Sequence, residues 1–264
     1  MKPFKLIFVC AGVGLMLFIV AFVNRPAATI KKNHGVAGAR GFALLELFTS
    51  EGCSSCTAAD DLLAQIQKES PNEPVYVLAY HVDYWDRLGW KDTFSDSDFT
   101  KRQYAYSNWL GAQVYTPQVV INGKTECVGS DEAVLRKRIN YELALAPVEV
   151  IDLKASLKNG SLSVSYQITG KPGDVQLQIA IVQKNAISKV ARGENSGRTL
   201  SHAQIVRKIY PVSLKERLSG TAVLKAPQRF NAQDWEVIGF LQNTKMGKII
   251  AAAKAGLSNA ATTL

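Results

Sequence analysis

Two cysteines separated by two serines, Cys53 and Cys56, lie between a strand pattern and a helix pattern, and this placement most constrains the fold. The mostly apolar run Phe42–Phe48 before them is short, as expected of a strand buried inside a parallel sheet. From Thr57 onward apolar residues recur at helical spacing, and Gly52 permits a sharp turn between the two elements. We therefore predict that Cys53 lies at a helix N-terminus and Cys56 one turn inside the helix.

This position predicts a reactive sulfur at Cys53, because unpaired main-chain N–H groups and the helix dipole favour a thiolate there. Cys56 is close enough to open and close a disulfide with it. A redox dithiol, an inert structural disulfide and half of a metal site are all compatible with this spacing. A second cysteine or histidine pair at zinc-ligand spacing is missing from the sequence, and the flanking strand and helix favour the redox dithiol.

The charge of the chain changes sign along its length. Residues 41–146 carry nine basic and fifteen acidic side chains, whereas residues 147–264 carry sixteen basic and seven acidic ones. With 264 residues and 47% apolar composition, the chain is long enough for roughly two domains, and the change of sign predicts a boundary near Pro147. The basic residues are scattered and accompany no nucleic-acid motif, so we expect no nucleic-acid partner. The sequence contains no phosphate loop or dinucleotide fingerprint, and we expect no cofactor.

The N-terminus has the residue pattern of an export signal. Lys2 and Lys5 precede an uncharged, mostly apolar run, Leu6–Val23. This pattern predicts that residues 1–26 are a signal peptide or a membrane anchor, and residues 27–40 are typical of a linker. Either alternative sends the rest of the chain to the periplasm or cell envelope, where disulfides persist; an uncleaved segment would attach the protein to the membrane.

The two predicted domains differ in secondary structure. Residues 41–146 show the order β-α-β-α-β-β-α, whereas residues 147–257 show six or more short alternating strands, which predict an all-β, sandwich-like domain. Residues 258–264 are predicted to be a frayed tail. Within the second domain, the charged segment Arg192–Arg198 is either a turn held by Arg–Glu pairing or a contact loop against the first domain or a partner.

The first domain resembles the thioredoxin fold, in which a dithiol follows the first strand. The resemblance rests on Cys53 and Cys56 at the strand-to-helix turn and on Thr116-Pro117 before the third strand. It implies that the peptide bond preceding Pro117 is cis, that Pro117 faces the dithiol, and that Thr116 offers main-chain hydrogen bonds to a bound peptide.

A more specific similarity covers most of the chain after its N-terminal segment. Four segments of this chain resemble the exported family known as domain of unknown function 1223: ELFTSEGCSSC, AYHVDYWDRLGWKD, VYTPQVVING and RGENSGR. This resemblance implies a thioredoxin-like domain and an oxidoreductase activity, with no established substrate. Thr57 stands where the resemblance leads us to expect proline, so a rigid residue of the first helical turn is absent.

The loop after the second strand, His81–Trp90, leaves the carboxyl edge of the parallel strands, which is also the edge that carries the cysteine pair. We predict that His81 stabilises the thiolate or shuttles protons, and that Asp83 orients it. Trp85 and Trp90 would line a substrate groove. The structural alternative is that the aromatic residues pack in the core and the aspartates cap turns.

Two further residues stand out by their position in strands. Glu46 is an acid in an otherwise apolar strand; buried, it would have a raised pKa and relay a proton to Cys56, and otherwise it would face outward. Cys127 is predicted to behave as a small buried hydrophobe.

We therefore predict a thiol-disulfide oxidoreductase of the cell envelope that acts on protein or small-molecule thiols and disulfides, with an envelope redox partner as a candidate. We expect no resident metal. One alternative is a copper-binding module, in which Cys53, Cys56 and His81 hold Cu(I). The other is a non-catalytic envelope binding protein, in which the disulfide is a structural cross-link.

Overall fold

A computed structural model describes residues 40–158, 160–214 and 217–259. The helices in these ranges are α1 (Cys56–Glu69), α2 (Ser97–Leu110) and α3 (Glu132–Ala144), with a 3-10 helix over Asp83–Leu88. The strands are β1 (Ala43–Thr49), β2 (Val75–His81), β3 (Gln118–Ile121), β4 (Thr125–Val128), β5 (Val150–Lys158), β6 (Ser161–Thr169), β7 (Val175–Lys189), β8 (Thr199–Val212), β9 (Ser219–Lys225), β10 (Trp235–Asn243), β11 (Ile249–Lys254) and β12 (Gly256–Asn259). The predicted signal or anchor at 1–26 and the predicted linker, apart from Arg40, lie outside the described residues. Within the described ranges no helix is long and apolar enough to cross a membrane.

One eight-stranded sheet runs through both predicted domains, in the order β11-β10-β7-β8-β2-β1-β3-β4. Strands β1 and β2 are parallel, β3 is antiparallel to β1, and β4 is antiparallel to β3. The junction is the parallel pairing of β2 with β8 at Ala79 and Ile205. The segments 41–146 and 147–257 therefore differ in content, as predicted, but they share this sheet, because β8 adds to the edge of β2.

The two faces of this sheet bury different sets of side chains, because successive strand residues point in opposite directions. On one face, a cluster that includes Leu44, Phe48, Ala180 and Phe240 packs against α2 and extends across both segments. On the opposite face, α1 and α3 cover β1 to β3 through the residues Leu45, Leu47, Leu63, Val77, Val119, Leu135 and Ile139. The cysteine pair, at the start of α1, therefore lies at the α1 face of the sheet.

A second sheet, in the order β12-β5-β6-β9, covers the later strands of the first sheet. Alternate residues of β5 and β6, such as Leu153 and Val164, pack against Ile179, Ile181 and Leu241 of the large sheet. Ser258 and Asn259, predicted to begin a frayed tail, lie instead in β12, which pairs in parallel with β5.

A buried polar network joins β1, α2 and β10. Arg102 Nε lies 2.7 Å from Glu46 Oε1, and Arg102 Nη1 donates to Gln242 Oε1 at 3.0 Å. Tyr106 donates a short hydrogen bond to the other oxygen of Glu46. Glu46 is fully buried, so these partners replace the water that its carboxylate loses on folding.

Candidate functional site

The turn between β1 and α1 carries a disulfide between Cys53 and Cys56, whose Cα atoms are 5.4 Å apart. The Cys53 N–H donates to Ser50 O at 3.1 Å, and the Cys56 N–H donates to Cys53 O at 3.3 Å. Helix α1 begins at Cys56, with Ser55 as its N-cap residue. The predicted strand-to-helix position is confirmed, but the predicted helix start is wrong: Cys53 precedes the helix by three residues and Cys56 is its first residue, because two tight turns intervene.

Two hydroxyl groups contact the Cys53 sulfur. Thr116 Oγ1 donates to Cys53 Sγ at 3.4 Å, and Ser55 Oγ lies at the same distance from it. The Ser55 side chain makes no capping hydrogen bond to the helix. The main-chain N–H groups of both cysteines are engaged by main-chain oxygens: that of Cys53 donates to Ser50 O and that of Cys56 to Cys53 O.

The disulfide is covered. Cys53 is 1% exposed and Cys56 is fully buried. The Thr116–Pro117 peptide bond is cis, as the thioredoxin resemblance implied, and Trp85 Nε1 donates to Thr116 Oγ1 at 2.9 Å. A side chain at Gly52 would place its Cβ 3.4 Å from the Cβ of Trp85, so the indole lies against the turn itself.

An open groove of about 530 Å³ lies beside Thr116. Its lining is mainly aromatic and carries one positive charge: Tyr84, Trp85, Arg87, Tyr104, Val114, Tyr115 and Thr116. Trp85, predicted to line a substrate groove, is among these residues. Trp90 is not among them, and its Nε1 donates to Glu51 Oε2 at 2.7 Å.

His81 is buried at the end of β2, and Asp92 orients it. The distance from His81 Nδ1 to Asp92 Oδ2 is 2.7 Å, and Asp92 also accepts the N–H of Glu51 at 2.8 Å. Burial lowers the pKa of His81, but the Asp92 carboxylate outweighs burial and raises it above the ordinary value. Asp83, the predicted partner, instead accepts a hydrogen bond from Thr100 at 2.5 Å and serves the local turn.

A second buried imidazole, His202 of β8, lies against the first, with ring centroids 5.1 Å apart. Its Nε2 lies 3.0 Å from Ser188 Oγ and 3.3 Å from Glu51 Oε1. Because one nitrogen faces both groups, these three residues cannot act as a serine–histidine–acid relay, which needs opposite ring nitrogens. Burial raises the pKa of Glu51, but contacts with His202, Ser188 and Trp90 hold it below its ordinary value.

Asp60 faces the same cluster from α1, one turn after Cys56. Its Oδ2 accepts a hydrogen bond from Thr49 Oγ1 at 3.1 Å. Burial raises its pKa from 3.8 to about 6, although the charges of His81 and His202 act in the opposite direction. The surroundings of the disulfide therefore contain a partly buried acid whose pKa is raised to about 6.

Glu46 cannot serve as the predicted proton relay. It is buried, as one alternative held, but it lies on the β1 face with Leu44 and Phe48, whereas α1 and Cys56 lie on the opposite face. Both of its oxygens are engaged, by Arg102 and Tyr106.

The segment 192–198 is a contact loop, as one of the two predictions held. Asn195 is fully buried, and its Nδ2 donates to Glu51 O at 2.9 Å and to Cys53 O at 3.1 Å. Glu194 Oε2 accepts the N–H of Ser54 at 2.9 Å, and Arg198 Nη1 donates to Asn195 Oδ1 at 2.7 Å. The loop therefore holds the cysteine turn through main-chain atoms.

The remaining site predictions concern metal and the free thiol. Among the described residues, no three His, Cys, Asp or Glu side chains are arranged to hold a metal ion, and Cys53 and Cys56 are bonded to each other. Cys127 is a free, half-buried thiol in β4, and burial raises its pKa to about 11.

Sequence reasoning missed five residues of this site: Glu51, Asp60, Asp92, Asn195 and His202. Glu51 and Asp92 carry a weak signal, since each is an acid inside one of the four family-like segments. Asn195 lies in the segment 192–198 that the sequence offers as a contact loop, but its contacts with the cysteine turn, and the contact of His202 with Glu51, join residues more than 100 positions apart and leave no local signal.

Comparisons with known proteins reveal a family and a fold relative. No curated protein matches this chain. An X-ray structure of a protein from Agrobacterium tumefaciens, a structural-genomics target, is similar with a TM-score of 0.66 and 26% identity, over 83% of this chain and 96% of that one. A domain of the outer membrane lipoprotein Omp28 from Porphyromonas gingivalis is 11% identical over 44% of this chain and 92% of that one, with a TM-score of 0.25, too low to carry an argument.

The family model described as "Protein of unknown function (DUF1223)" matches residues 44–242, which include both cysteines, the Thr116–Pro117 bond and the contact loop. The match covers well over half of the sequence and is the similarity expected from the four segments. The chain therefore belongs to the DUF1223 family.

Proposed function

We propose that the protein is a thiol-disulfide oxidoreductase of the cell envelope that acts through Cys53 and Cys56. The observation that carries the proposal is the disulfide at the β1–α1 turn, with the Thr116 hydroxyl 3.4 Å from the Cys53 sulfur. A hydroxyl at that distance stabilises a thiolate when the bond is reduced. The parallel β1–β2 pair and the antiparallel β3–β4 pair support a thioredoxin-like arrangement for residues 41–146.

The reaction is a dithiol–disulfide exchange. In the reduced protein the Cys53 thiolate attacks one sulfur of a substrate disulfide, and the other substrate sulfur leaves as a thiolate and takes up a proton. Cys56 then loses its proton and attacks the Cys53 sulfur of the mixed disulfide, which releases the second substrate thiol. The protein ends oxidised, the substrate gains two electrons and two protons, and the reverse sequence oxidises a dithiol.

The groove beside Thr116 supports a protein or small-molecule disulfide as substrate. On the thioredoxin-like interpretation a peptide segment would run along the aromatic side chains and approach Cys53 from the Thr116 side. The apolar run Leu6–Val23 supports an envelope location, and a disulfide suits that oxidising compartment. A redox partner in the envelope would return the pair to its working state.

The test is exchange of the full chain with glutathione and with a peptide disulfide, followed by thiol alkylation and mass measurement. We expect Cys53→Ser to abolish exchange and Cys56→Ser to accumulate a mixed disulfide at Cys53. Cys127→Ser is the matched control and should exchange at the wild-type rate, because burial disfavours its thiolate. No exchange by the wild-type protein between pH 5 and pH 9 would refute the proposal.

The burial of both sulfurs favours a second candidate, a binding protein in which the disulfide is structural. Structural disulfides have reduction potentials below about −300 mV, whereas catalytic pairs are more oxidising. The reduction potential of Cys53–Cys56 therefore separates the two functions.

A further inference from the structure

The loop 192–198 reaches the cysteine turn from the far end of the β7–β8 hairpin. It contacts the turn at three main-chain atoms: the carbonyls of Glu51 and Cys53, both bound by the Asn195 amide, and the N–H of Ser54, bound by the Glu194 carboxylate. Asn195 is itself fixed, because it is fully buried and its Oδ1 accepts a hydrogen bond from Arg198. These contacts join the two segments of the chain at the reactive pair itself.

We propose that this loop sets the redox poise of Cys53–Cys56: Asn195 holds the turn in its closed, disulfide-bonded geometry, and Glu194 places a negative charge beside the sulfur that must ionise. The inference rests on the proposed function for its biological meaning, but the poise is a property of the pair that can be measured without any activity.

The charge of Glu194 acts against the Cys53 thiolate. Ser54 is the residue after Cys53, so bond lengths alone place the bound carboxylate within about 8 Å of the Cys53 sulfur. The hydrogen bond from the Ser54 N–H lowers the pKa of Glu194, which is therefore ionised at neutral pH. Two negative charges at this separation repel, which disfavours the thiolate.

Other charged groups act on the sulfur less directly. Arg198 reaches the turn only through the Asn195 side chain. The Glu51 carboxylate points away from the turn to Trp90 and His202. Arg192 is exposed in the same loop. Glu194 is the charged group of this loop that binds the cysteine turn itself.

The effect of Asn195 is geometric. By holding Cys53 O, which also accepts the N–H of Cys56, Asn195 keeps the two cysteines in the turn that the disulfide requires. A turn held in this geometry favours ring closure, since less conformational freedom is lost when the sulfurs join. Both residues therefore stabilise the oxidised form relative to the dithiol, and the loop makes the pair more strongly reducing.

The experiment measures the Cys53 pKa by thiolate absorbance and the reduction potential by equilibration with dithiothreitol buffers, on the full chain. Glu194→Gln keeps an oxygen acceptor for Ser54 N–H and removes only the charge. We expect the Cys53 pKa to fall by about 0.5 at low salt, with the difference shrinking at high salt because Glu194 is exposed. Above the Cys53 pKa, the equilibrium with the reference dithiol should shift about threefold toward reduced protein, which corresponds to about 15 mV.

Glu132→Gln is the matched control, since it removes the same charge from an exposed acid in the first turn of a different helix, α3. It should leave both values unchanged. Asn195→Ala should move the potential in the same direction as Glu194→Gln, and thermal unfolding of each variant checks that it is folded.

An unchanged Cys53 pKa and potential in Glu194→Gln, or an equal shift in Glu132→Gln, would overturn the inference. If the wild-type protein catalyses no exchange but Glu194→Gln still shifts the potential, the proposed function fails and this inference stands. If the protein is active but its potential does not respond to Glu194→Gln, this inference fails and the proposed function stands.

Discussion

At the scale of single residues, the chemistry of the site depends on which groups face the disulfide. Two hydroxyls touch the Cys53 sulfur, from Thr116 and Ser55, while two buried imidazoles and three acids lie behind the turn. Asp60 differs from the other acids because its pKa is raised to about 6, whereas hydrogen bonds and positive charges hold the pKa values of Glu51 and Asp92 below their ordinary range.

Asp60 gives a prediction for the pH dependence of stability. Its folded-state pKa of about 6 exceeds the ordinary value of 3.8, so the folded protein holds the proton more tightly than the unfolded chain. Its contribution to stability is complete below about pH 4 and is lost as the pH rises through about 6. The free energy of unfolding of Asp60→Asn should therefore increase, relative to that of the wild type, as the pH rises from 4 to 7. The gain is at most about 3 kcal/mol, and smaller to the extent that solvent screens this partly exposed side chain.

The measurement is urea unfolding of the disulfide-bonded protein at pH 4, 5, 6 and 7. Asp61→Asn is the natural control, because Asp61 is the next residue of α1 and faces solvent. Parallel curves for Asp60→Asn and wild type across this range would contradict the prediction.

At the scale of secondary-structure elements, most of the helices and strands can be predicted from the sequence, but the way they meet cannot. The β-α-β-α-β-β-α order of residues 41–146 is confirmed, because amphipathic periodicity and turn residues are local signals. The predicted start of α1 is too early, since Ser54 and Ser55 form a turn that periodicity does not reveal. The predicted partner of His81 is also wrong: Asp83 and Asp92 both follow β2 closely, and only the three-dimensional path of the chain selects Asp92.

The contact between β1 and α2 gives a prediction of element packing. Glu46 is fully buried and Arg102 is 11% exposed, so removing one partner leaves a buried charge without its counterion. We expect Arg102→Leu to lower the free energy of unfolding by about 3–5 kcal/mol. Arg136→Leu is the control, because its pairs with Glu69 and Glu132 are exposed to solvent and contribute little. Urea unfolding at neutral pH measures both, and equal losses would contradict the prediction.

At the scale of the whole molecule, one sheet makes the two segments interdependent. Strand β8 covers the edge of β2, and the core around Phe48 and Leu78 is completed by Val182, Val206 and Phe240 of the second segment. Composition predicts a boundary near residue 147, and the segments on either side of it do differ in net charge and in secondary structure. It cannot predict the shared sheet, because strand pairing between distant segments leaves no local periodicity.

This arrangement predicts that a fragment of residues 40–146 does not fold by itself. Without the second segment, the edge of β2 and the apolar face around Phe48 are exposed to water, which favours aggregation. We expect no cooperative urea transition for this fragment by near-UV circular dichroism, in contrast to a fragment of residues 40–259. A cooperative transition in the shorter fragment would show that the first segment is an independent domain.

The hydrogen bonds from Asn195 to the cysteine turn have a consequence during biosynthesis. Cys53 precedes Asn195 by 142 positions, so the ribosome makes both cysteines long before it makes the amide that fixes their turn. If the chain is exported as proposed, the nascent chain would present both thiols to any oxidant before Asn195 holds their turn. The bond can form early, and only the finished chain encloses it.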